Sequence, residues 1–126
     1  MVDEHSEIHV PQVDPKPSSK SGTMHVNLVE ELGCTEMRPK VWFLSPGDAM
    51  SFHHQLEQEE FYYVLEGPGR IKIGPGSEPR EVPTGTAIRI PPQTPRQILN
   101  DTTGEHVWLV IGAPPAEDDG RPVTDA

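Results

Sequence analysis

GDAMSFHHQLEQEEFYYVLEG, residues 47–67, is the stretch on which the fold turns. Its apolar and polar residues alternate with period two, the rhythm of a strand rather than a helix. Alternation puts Ser51, His53 and Gln55 on one face and Met50, Phe52 and His54 on the other. The apolar set is expected to pack between layers, which leaves the polar set facing an interior cavity. In the next strand Glu60, Tyr62 and Val64 share a face. Adjacent His53 and His54 cannot both point inward from a regular strand; only a bulge would re-aim His54.

A second stretch, GTAIRIPPQTPRQILN at residues 85–100, is expected to add a further inward-facing set to the same interior. There Arg96, Ile98 and Asn100 fall on one face. His53, Gln55, Glu60 and Arg96 are therefore expected to converge on one interior point. Their chemistry is mixed. Imidazole and carboxylate are good ligands for Zn, Fe, Mn or Ni, and a carboxamide oxygen is a weaker, neutral one. A guanidinium is no ligand, and its fixed charge disfavours a nearby cation. Three readings follow. Arg96 and Glu60 form an internal ion pair. Arg96 grips an anionic molecule in a bidentate hold, with Gln55, His53, Tyr62 and Asn100 orienting it. Or His53, Gln55 and Glu60 bind a divalent metal, with water completing the shell. The first two compete for the same guanidinium.

Further strands are expected at residues 24–29, 40–44, 50–55, 60–65, 69–73, 86–90, 96–99 and 106–111. Turn signals rich in Gly and Pro separate them. Residues 28–32 could form one helical turn. Short strands at this spacing describe an all-β sandwich or barrel. Residues 1–22 carry three prolines and a polar run and are expected to be a flexible arm; residues 114–126 are expected to be a frayed polar tail. The folded unit then spans 23–113. Both FYYVL (61–65) and HVWLVI (106–111) are apolar on both faces, so a second cover is needed. A second copy in a homodimer is one cover; the N-terminal arm is the other.

The 126-residue length suits one domain, and fifteen prolines with eleven glycines argue against a helical bundle. A net charge of -10 argues against nucleic acid and anionic membranes as partners. Acidic residues outnumber basic ones twenty to ten, and only four of the ten are lysines. That balance fits a halophilic source or an ordinary acidic cytosolic protein; melting from low to molar KCl separates the two. Cys34 is alone, which suits a reducing cytoplasm. No apolar run approaches membrane-spanning length, and the opening MVDEHSEIH does not read as a signal peptide.

With its motifs laid out, the chain resembles the cupin superfamily, over about residues 40–112. The first cupin motif runs glycine, five residues, His, one residue, His, three or four residues, Glu, six residues, Gly. Gly47, His53, Glu60 and Gly67 fit it, and Gln55 takes the second histidine place. The second runs glycine, five residues, Pro, one residue, Gly, two residues, His, three residues, Asn. Gly85, Pro91 and Asn100 fit; Gln93 replaces the glycine and Arg96 the histidine. The resemblance implies a cupin β-barrel (a jelly roll, or double-stranded β-helix), commonly dimeric, with a ligand cavity in its mouth. It also implies four metal positions, two of which are altered here. The leading expectation is a small-molecule binder with a degenerate metal site and no cofactor. The alternative is a metal-dependent dioxygenase or isomerase. Trp42 and Trp108 are read as core or interface, and residues 57–59 as a solvated acidic edge.

Overall fold

A computed structural model describes residues 4–124. Eleven strands among them form two antiparallel sheets. In chain order they are β1 (Lys16–Pro17), β2 (Met24–Asn27), β3 (Arg38–Leu44), β4 (His53–Gln55), β5 (Glu59–Glu66), β6 (Gly69–Ile73), β7 (Arg80–Val82), β8 (Ala87–Ile90), β9 (Arg96–Leu99), β10 (His106–Ala113) and β11 (Gly120–Pro122). The larger sheet runs β1-β2-β3-β10-β5-β8, and the smaller β11-β4-β9-β6-β7. A short helix, α1 (Leu28–Leu32), follows β2. This is the jelly-roll arrangement that the cupin resemblance implies, and the all-β class expected from the alternation.

Period two decides what lies inside. Along β10, His106, Trp108 and Val110 are buried while Val107, Leu109 and Ile111 are only partly covered. Trp42, Leu44, Tyr62, Val64, Ile71, Val82, Ile90, Ile98, Trp108 and Val110 form the shared core. Trp108 is completely buried and sets the local spacing. A Cβ added to Gly69 would come within 2.5 Å of its ring. Gly69→Ala is therefore expected to cost about 1–3 kcal/mol, the usual penalty for overpacking, read as a lower urea midpoint.

Where the chain departs from the expectations, local chemistry explains it. The strand at 24–29 stops at Asn27, whose side chain accepts from the Val29 N–H at 3.1 Å and caps α1. Gly33 closes that helix at φ 73°, a left-handed conformation that suits glycine. The strand at 50–55 is regular only from His53; ahead of it the Met50 N–H reaches the Ile98 carbonyl at 3.0 Å and Ala49 makes an isolated bridge to Leu99.

Among the described residues, parts of the expected arm and tail are paired into the sheets. Within 4–22 lies β1, paired to β2; within 114–124 lies β11, paired to β4. Asp119 is 6% exposed. The cover expected for FYYVL is incomplete within the single chain. Tyr62 and Val64 are buried, but Phe61 and Leu65 remain 39% and 41% exposed. Phe61 and Tyr63 stack on each other outside, with centroids 6.3 Å apart.

Candidate functional site

The two sheets part at one end to leave a cavity of about 500 Å³. Ser51, His53 and Gln55 line it together with Glu60, Tyr62 and Ile98, as strand alternation requires. Residues ahead of β2, Ser18 to Ser21, form part of its rim, and the segment around Asp118–Gly120 forms another. Both supposed tails thus help to build the site.

Arg96 is 0% exposed and lies beneath this wall. In β-sheet register it faces His53 across β4 and β9. Its Nη1 donates to Glu60 Oε1 at 2.7 Å, and its Nη2 donates to the Pro91 carbonyl at 2.7 Å. The Arg96 Nε has no acceptor. Tyr62 donates its hydroxyl proton to the same Glu60 oxygen at 2.9 Å. Burial, and then the adjacent Glu60 charge, push the Tyr62 hydroxyl well above its ordinary range. Tyr62 therefore stays protonated and keeps donating. The first of the three readings of Arg96 is the one realised: an internal ion pair with a tyrosine as third member.

His53 stands beside this trio. The Ser51 carbonyl, 2.9 Å from Nδ1, can only accept, so Nδ1 carries the proton in the neutral ring. Burial lowers the His53 pKa more than the Ser51 bond and Glu60 raise it. The ring is accordingly neutral at pH 7. Gln55 is turned elsewhere. Its Nε2 donates to Gln58 Oε1 at 3.0 Å and to Asp119 Oδ2 at 3.2 Å. Asn100, expected to orient a ligand, is 2% exposed and does not line the cavity. Its amide donates to the Leu44 and Gly104 carbonyls, and its oxygen accepts from Thr102. Asn100 is a turn residue. His54 stays outside the cavity lining, and its Nδ1 lies 3.1 Å from the Gln55 carbonyl.

This donor set does not suit a divalent cation. Glu60 already takes a guanidinium at contact distance, which would repel the metal, and the Gln55 amide is committed to Gln58 and Asp119. Among the described residues no three His, Cys, Asp or Glu side chains converge.

Several cavity residues escaped the sequence reading. Gln58 is buried rather than part of a solvated edge: its amide donates to the Pro114 carbonyl and lies over Gly112, where a Cβ would stand 2.9 Å from Gln58 Oε1. Asp119 accepts from the Glu57 and Gln58 N–H groups. Arg38, Lys40 and Trp42 alternate along β3 and all line the cavity. His25 stacks on Trp42 with centroids 4.7 Å apart and holds the Lys16 carbonyl through Nδ1. The signal for Lys40 was present: a lysine on the same face as Trp42 and Leu44 is out of place in a pure core.

Comparison with known proteins agrees with this architecture. The Cupin_2 family model, described as "Cupin domain", matches residues 40–112. An uncharacterized protein of Methanocaldococcus jannaschii, MJ1618, is 41% identical over 54 residues, 43% of this chain and 42% of that protein. The match thus spans less than half of that relative's length. The polyketide cyclase RemF from Streptomyces resistomycificus superposes with a TM-score of 0.79 at 22% identity, covering 98% of this chain and 88% of that one. A cupin protein from Bacteroides fragilis gives 0.71 at 25% identity, covering 99% and 97%.

Proposed function

The chain belongs to the Cupin_2 family of cupin domains, and from that premise we propose that it binds a small organic molecule in the barrel cavity without a metal ion. The observation that carries this reading is the Arg96–Glu60–Tyr62 cluster, which occupies the place where the family pattern puts ligands. The cavity above it is the right size for a metabolite. Its walls offer Trp42, Ile98 and Val110 for apolar contact, with His53 and Tyr62 among a few polar groups. Thermal melting against a panel of small metabolites, with and without EDTA, tests it. Stabilising compounds should lose their effect in Ser51→Trp, which places a bulky ring at the exposed rim. Stabilisation that EDTA abolishes would contradict the reading.

The same proposal includes a homodimer acting in the cytoplasm. Phe61 and Tyr63 on β5 lie opposite Ile111 and Leu109 on β10 in register, and Leu65 follows at the β-bulge, 41% exposed. A two-fold axis would lay this apolar face on its own copy, because such an interface needs only one self-complementary patch. Sedimentation should give a dimer that Leu65→Glu converts to monomer. A monomeric wild-type protein would refute this part. Among the described residues no helix is long and apolar enough to cross a membrane.

A further inference from the structure

The cavity carries more unneutralised positive charge than the chain as a whole would suggest. Net charge is -10, yet among the described residues two cations in the cavity wall have no ion-pair partner. Arg38 and Lys40 are alternate residues of β3, so both side chains emerge on the cavity face. In register, Lys40 lies between Asn27 of β2 and Val110 of β10, and Arg38 lies beside Gly112. None of these neighbours is acidic. Among the described residues neither cation takes part in a salt bridge.

The carboxylates that share the cavity are all engaged. Glu60 is held by Arg96 and Tyr62. Asp118 lies 3.6 Å from Lys20 and 3.9 Å from Arg121. Asp119 accepts the Glu57 and Gln58 N–H groups and the Gln55 amide. Burial, followed by the Arg38 charge, lowers the Lys40 pKa below the ordinary lysine range; the Glu60 and Glu30 charges oppose this weakly and Lys20 adds to it. The Lys40 ammonium is therefore destabilised as it stands and would gain from an arriving negative charge. Trp42, two residues on along the same face, keeps its ring 5.9 Å from the Lys40 Nζ.

We propose that Arg38 and Lys40 form an oxyanion subsite, which takes a carboxylate or phosphate group of the bound molecule. This deepens the binding reading above and rests on it. Two cations one strand repeat apart, about 6.6 Å between Cα atoms, can close on a single oxyanion from two sides. The rest of the molecule lies along Trp42, Val110 and Tyr62 and ends near His53. Arg96 is not the anion anchor, because its Nη groups are spent on Glu60 and Pro91.

Thermal melting and calorimetric titration with glucose 6-phosphate, glucose, inorganic phosphate, benzoate and benzyl alcohol test the subsite. The phosphate or the carboxylate should stabilise the wild-type protein, and its neutral counterpart should not. Arg38→Met and Lys40→Met should each weaken that anion about tenfold, while Lys40→Arg keeps most of the affinity. A phosphate-only response identifies an ester head group, and a benzoate-only response a carboxylate. A second readout needs no variant: the bound anion should protect Lys40 of the wild-type protein from acetylation, followed by mass spectrometry. Anion binding that survives both methionine substitutions, or no protection of Lys40, overturns the subsite. Glucose or benzyl alcohol binding as well as the anions also overturns it, and leaves the cavity reading standing. No shift with any of the five compounds counts against both.

Discussion

Arg96→Met should lower the unfolding free energy by about 3–5 kcal/mol, the cost of breaking a buried ion pair from one side. The substitution leaves Glu60, whose side chain is 12% exposed, with only the Tyr62 hydroxyl against its charge. It also strips the Pro91 carbonyl of its donor. Arg96→Lys should rescue little, because a single ammonium cannot reach Glu60 and Pro91 together in the geometry of the fork. The double variant Arg96→Met with Glu60→Gln should recover a substantial part of the loss, since no charge is then left unpaired. Urea unfolding of the wild-type protein, Arg96→Met, Glu60→Gln and the double variant gives the coupling directly. Losses that simply add would show that the two side chains do not act as a pair.

Asp119→Ala carries the second large effect, about 2–4 kcal/mol, on the scale of one or two buried donors left without acceptors. Its carboxylate receives the N–H groups of Glu57 and Gln58 and the amide of Gln55. These contacts fasten the segment before β11 to the turn between β4 and β5. Desolvation is the largest single influence on Asp119 and acts upward, but the hydrogen bonds together hold its pKa below the ordinary aspartate value. A depressed carboxylate pKa stabilises the fold above the unfolded value, near 4, and that contribution is lost as pH falls through the folded value. Urea midpoints should therefore fall below about pH 4 in the wild-type protein, and this part of the decline should be missing in Asp119→Asn. An identical acid limb in both would remove Asp119 from the account.

Alternation made the central strands legible because each carries several buried apolar positions in sequence. Phe61 to Leu65 and His106 to Ile111 are examples: Tyr62, Val64, Trp108 and Val110 are buried, and the residues between them are less so. Three of the four edge strands were not legible; β8, the fourth, was. β1 and β11 each contain a proline, and β7 is Arg-Glu-Val, so their sequences read as punctuation or solvent-facing chain. All three lie at the margins of their sheets, where few side chains need to be apolar.

The candidate site was legible in part for a similar reason. His53, Glu60, Tyr62 and Arg96 lie on regular strands, so counting residues places them together. Gln55 and Asn100 satisfy the same count, yet their amides are claimed by backbone and side chains that no periodicity locates, such as Gly104 and Asp119. Gln58 and Asp119 become partners only through the return of the C-terminal segment, a contact between residues 61 positions apart. Arg38 fell outside the strand expected at 40–44, so its shared face with Lys40 went unseen.

The Arg96–Glu60 pair stands at positions that the cupin pattern gives to metal ligands. Elemental analysis of protein purified without chelator and without a nickel affinity step tests the metal-free reading of the site most directly. No transition metal is expected at a stoichiometric level, in the wild-type protein or in His53→Ala. Close to one metal per chain in the wild-type protein, lost in His53→Ala, would contradict it.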